Sequence, residues 1–65
     1  MKEIVLPNVH TKEHAAKIAF AVDGILSSQY KVMTVISSSV KNGRGLLIVN
    51  DEYEKTVVNI LRMGD

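Results

Sequence analysis

A chain of 65 residues makes one domain, and one that buries only about 60% of the surface its unfolded form exposes, so a partner or a second copy is expected to add to its stability. With 46% apolar and 23% charged residues it is globular in composition rather than disordered, and a formal charge of +1 argues for no polyanionic partner. The absence of cysteine excludes disulfides, thiolate metal sites and a cysteine nucleophile, and is compatible with the cytosol.

Lys2 to Leu6 alternates as a short strand, with Ile4 and Leu6 on one face and Val5 on the other, and Pro7 stops the pairing. Pro7-Asn8-Val9-His10 reads as a loop and Thr11 as a helix N-cap followed by Lys12 and Glu13. Ala15, Ile18, Ala19, Val22, Ile25 and Leu26 then recur at helical spacing, predicting an amphipathic helix of roughly 16 residues. Ser27-Ser28-Gln29 is expected to close it, and Gly24 marks either a close packing contact or an earlier end.

Tyr30 to Asn50 carries the strongest local signal. Val32, Thr34, Val35 and Ile36 form one β-rich run and Leu46 to Val49 another, joined at Asn42-Gly43, the dipeptide that supplies the positive φ angles of a two-residue hairpin turn. Asp51 and Glu54 have capping-box spacing at the start of a second helix, whose apolar side is Tyr53, Val57, Val58, Ile60 and Leu61; Arg62 suits its C-terminus and Gly64 its termination. The order β-α-β-β-α predicts an α+β two-layer sandwich with a three-stranded antiparallel sheet, the third strand lying between the other two, as in a truncated ferredoxin-like fold. The first strand is then an open edge.

Both long strands are apolar at successive positions, whereas helices cover one face of a sheet and the other is normally polar. The second face, with Val5, Met33, Val35, Leu47 and Val49 as candidate interface residues, is expected to be covered by another copy of the chain or by a different protein.

The segments Val35-Ile-Ser-Ser-Ser-Val40 and Leu46-Leu-Ile-Val-Asn-Asp-Glu-Tyr-Glu-Lys-Thr-Val-Val-Asn-Ile-Leu61 resemble the C-terminal part of ACT-type regulatory domains of the aspartokinase kind, and Ala15 to Ala21 is similar to their first helix. The resemblance covers about half the chain. It implies an ACT-like fold, dimerisation through a strand edge or sheet face, and a small effector such as an amino acid near Asn8, His10 and Thr11.

Other chemistry has little to build on. His10 and His14 are four apart but have only Glu13 nearby as a further metal ligand, so no metal site is expected. Ser37-Ser38-Ser39 has no identifiable base, and Gly43-Arg44-Gly45 closes a hairpin rather than opening a helix. Lys31, Lys41 and Arg44 suggest a basic patch for nucleic acid, but the strands lack the aromatics on which bases stack. Phe20 and Tyr53 read as core residues. No run reaches the ~18 apolar residues of a membrane span, and no signal-peptide core follows Met1. The expectation is a non-enzymatic, cofactor-free, cytoplasmic interaction or regulatory module, of the inhibitor or accessory-factor type.

Overall fold

The computed structural model describes residues 1–63. Its elements are β1 (Lys2–Leu6), α1 (Lys12–Tyr30), β2 (Val35–Lys41), β3 (Arg44–Val49), a 3-10 turn (Asp51–Tyr53) and α2 (Glu54–Met63). The sheet order is β1-β3-β2, and β3 pairs antiparallel with both neighbours. This is the two-layer α+β arrangement expected, the first five elements of a ferredoxin-like fold. The expected terminator Gly64 lies outside the described residues.

The register decides which residues face the helices. Ile4 stands opposite Leu47, Leu6 opposite Gly45 and Val35 opposite Val49, and these side chains are buried together with Ala15, Val22 and Leu26 of α1 and Val57 of α2. The alternate set, Glu3, Val5, Ser37, Ser39, Leu46 and Ile48, lies on the opposite face, because directly paired residues of an antiparallel sheet share a side. Of the candidate interface residues, Val35, Leu47 and Val49 therefore belong to the helix-covered core. Val5 is on the open face, and Met33 lies outside the strands in the loop before β2.

Helix α1 runs to Tyr30, so Ser27, Ser28 and Gln29 are helical rather than terminal. Ser28 donates its hydroxyl to the Ile25 carbonyl at 2.9 Å, and buried Leu26 anchors this turn on the core. The helix ends at Lys31, in the left-handed region with φ 63°, whose amide bonds the Ser27 carbonyl at 2.8 Å. At the other end Thr11 caps as expected, its Oγ1 accepting from the His14 amide at 3.2 Å. Phe20 is 81% exposed and is not a core residue, whereas Tyr53 packs against the core and lies 5.3 Å, ring centre to ring centre, from Tyr30.

The hairpin turn is as the dipeptide dictates, with φ 55° at Asn42 and 75° at Gly43. Strand β2, however, starts at Val35 rather than Val32. The capping box does not form either: Asn50 precedes the 3-10 turn without a capping bond, its Nδ2 donating instead to the Met33 carbonyl at 3.3 Å, and Asp51 sits 2.7 Å from the N-terminal ammonium of Met1.

Two glycines have opposite meanings. A Cβ on Gly45 would lie 2.8 Å from Val9 Cγ1 and 2.9 Å from Val9 Cβ, because the loop after β1 crosses β3 closely enough for the Gly45 amide to bond the Val9 carbonyl at 2.7 Å. Gly24 has nothing within 4 Å of its would-be Cβ, so it is neither a packing contact nor a helix end. Gly24→Ala should stabilise by about 0.5–1 kcal/mol through helix propensity. Gly45→Ala should destabilise by about 1–3 kcal/mol through overpacking. Denaturant midpoints at constant m-value check both, and a neutral Gly45→Ala would disprove the close crossing.

Candidate interaction surfaces

Helix α1 packs one apolar stripe, Ala15, Ile18, Ala19, Val22 and Leu26, on the sheet, while Phe20 and Ile25 remain exposed beside it. Its placement rests on one acidic side chain. Asp23 Oδ1 accepts from the Thr34 amide at 2.8 Å, the Thr34 hydroxyl at 3.0 Å and the Val35 amide at 3.2 Å. Thr34 is fully buried, so this carboxylate is what satisfies its polar groups. The Thr34 amide is the main cause holding the Asp23 carboxyl below its usual range; partial burial pushes the other way, and the Val35 amide and Thr34 hydroxyl add to the lowering. By charge pattern alone Asp23 belongs to the polar side of the helix, and its role shows only once the loop is in place.

Each flank of α1 then borders a groove. On one side α1, β1 and α2 enclose an apolar cleft of about 910 Å³; on the other, Ala16, Ala19 and Phe20 of α1 face Met33, Ile36 and the serines of β2 across a shallower groove of about 230 Å³. Val5, Phe20, Ile25, Met33 and Ile36 are all exposed around these features. The open face of the sheet is narrower than the sequence suggests. Leu46 at its centre is only 7% exposed though outside the helix-side core, Ile48 and Val5 complete an apolar strip, and Glu3, Ser37 and Ser39 border it.

The two sheet edges differ. β1 is five residues long, begins with Lys2 and Glu3 and stops at Pro7, all features that blunt strand addition. β2 offers Val35-Ile-Ser-Ser-Ser-Val-Lys41 with no proline and no charge before its last residue. A register shift between Val35 and Ser37 leaves Ile36 without a partner on β3.

The positions suggested for an effector already have structural tasks. Thr11 caps α1, and His10 Nδ1 lies 2.8 Å from the Gly43 carbonyl oxygen, which can only accept, so that ring nitrogen carries the proton and ties the loop to the hairpin. Asn8 is exposed and lines the larger cleft. Among the described residues no three His, Cys, Asp or Glu side chains gather as metal ligands, and no helix is long and apolar enough to cross a membrane. Lys41 pairs across the hairpin with Arg44, while Lys31 caps the far end of α1, so the three cations do not form one patch on the sheet. No family model, curated protein or solved structure matches the chain.

The Asp23 clamp yields a signed prediction. Because the folded-state pKa is lowered, its stabilisation is complete above the unfolded carboxylate's value of about 4 and is lost as pH falls through the lower folded value. Asp23→Ala should cost about 2 kcal/mol near pH 7 by orphaning the Thr34 amide and hydroxyl. That corresponds to about 10 °C in melting temperature. Asp23→Asn should flatten the fall of melting temperature below pH 4, and an acid profile unchanged in Asp23→Asn would refute the clamp.

Proposed function

We propose that this chain is a non-enzymatic protein-interaction and regulatory module that works as a homodimer joined along β2. The observation that carries this reading is the self-complementarity of the free β2 edge. In an antiparallel pairing centred on Ser38, Ile36 of one copy meets Val40 of the other, Ser37 meets Ser39, and Lys41 meets Val35. Both exposed apolar side chains of the strand gain apolar partners, the serines gain hydrogen-bonding ones, and no like charges stand opposite each other.

Joining two sheets in this way makes one six-stranded sheet with helices on a single side. Phe20, beside the groove at this edge, then comes to lie near the two-fold axis, while Met33, further along the strand direction, reaches toward the partner's hairpin turn, and both lose the exposure that a monomer leaves them. The strip of Val5, Leu46 and Ile48 on the open face is left free to receive a regulated protein.

Light scattering across a concentration series tests it. The mass should approach twice the 7.2 kDa of the chain at tens of micromolar. Phe20→Lys and Ile36→Lys, both at exposed positions, should return it to monomer with the circular dichroism unchanged. Val5→Lys, at an exposed position of the open face, should leave the dimer intact. A monomeric wild type, or a dimer indifferent to the first two changes but broken by the third, would overturn the β2 interface.

A further inference from the structure

The cleft between α1, β1 and α2 is not used by the β2 interface, and its volume of about 910 Å³ lies within the range of small-molecule sites. Its floor is the core itself, reached at Ile4, Leu6 and Val22, and its walls carry Ile18, Ile25 and Leu61. The polar groups in the lining come from the place where β1 ends, α1 begins and α2 ends: Asn8 just after β1, His14 in the first turn of α1, and Arg62 in the last turn of α2. Among the described residues the lining holds one permanent cation, Arg62, and no acidic side chain.

An apolar trough with a positive, hydrogen-bonding end and, among the described residues, no negative side chain has a complement of defined chemistry. We infer that the cleft binds a single-chain amphipathic carboxylate, its hydrocarbon tail along Ile18, Ile25 and Leu61 and its carboxylate at Arg62, with Asn8 and His14 as neighbouring donors. Arg62 suits a carboxylate because its planar fork donates two parallel hydrogen bonds. The free amide groups at the start of α1 favour negative charge at the same end. An added peptide strand fits the cleft less well, because the adjoining β1 edge is short and bounded by Lys2, Glu3 and Pro7. The inference does not rest on the dimer, whose contacts lie on the other flank of α1.

The test is titration of the isotopically labelled chain with octanoate, decanoate and dodecanoate below their micelle concentrations, followed by amide chemical shifts, with decanol and decyltrimethylammonium as controls. Saturable shifts should cluster at Ile18, Ile25 and Leu61, and affinity should rise about fourfold per methylene buried. Decanoate should bind more tightly than decanol, and decyltrimethylammonium most weakly. Arg62→Gln should weaken decanoate at least fivefold while leaving decanol unchanged. Ala21→Phe, an exposed helix position lining the cleft, should block all of them with the fold retained. Phe20→Lys should bind as the parent chain does, which separates this site from the β2 interface. Shifts that never saturate or that scatter over the surface, or a cationic amphiphile binding as well as the carboxylate, would overturn the assignment.

Discussion

The fold depends on where α1 lies over the sheet, and that is set by one carboxylate. Asp23 gathers the Thr34 amide, the Thr34 hydroxyl and the Val35 amide on one oxygen at the point where the chain leaves the loop and enters β2. An apolar stripe specifies that a helix will pack on a sheet but only weakly specifies its axial position, since many registers bury similar area. Three hydrogen bonds to a charged acceptor, one from a fully buried threonine, are directional and fix that position. They also mark the start of β2: the chain is bound to α1 at Thr34 and Val35, and Val32 and Met33 lie in the loop before that point.

A second constraint acts at the opposite end of the sheet. The loop after β1 is held down by the Gly45 amide on the Val9 carbonyl and by the His10 ring on the Gly43 carbonyl, so hairpin, loop and helix start form one connected unit. With both ends fixed, α1 lies mainly over β2 and β3, while α2 meets β1. The two helices touch each other only sparsely, and the cleft opens between them at β1. Either flank of α1 then borders a groove, with Ile25 exposed at one and Phe20 at the other.

Local signals in the sequence fared according to how local their physics is. The Asn42-Gly43 turn, the Thr11 cap and the stop at Pro7 each depend on a few adjacent residues, and each is found where the sequence puts it. Strand order follows from connectivity and is likewise legible. What failed was relational. The register shift between Val35 and Ser37 changes the phase of alternation within β2, and on β3 both alternate sets are apolar, so Val35, Leu47 and Val49 read as outward when they are core. Ser27 to Gln29 reads as a terminus by composition, but Leu26 beneath it is buried and the helix continues. Asp51 has the spacing of a cap, yet the Met1 ammonium, brought near by β1 pairing with β3, takes its carboxylate. Asp23 had no local signal at all: its partners are eleven and twelve residues away.

The distribution of apolar surface then separates two kinds of recognition in one small chain. At the β2 edge the unpaired groups are backbone amides and carbonyls in an extended strand, which only another strand can match along its length, and the run Ile36 to Val40 is its own best match in the antiparallel sense. At the β1 side the strand is short and ends in charge and proline, so the backbone contributes little and the side chains of three elements decide what enters. Those side chains are apolar along the trough and cationic or hydrogen-bonding at one end. The proposed strand pairing and the proposed amphiphile site therefore fall on opposite flanks of α1, so a substitution on one flank is expected to leave the other surface unchanged.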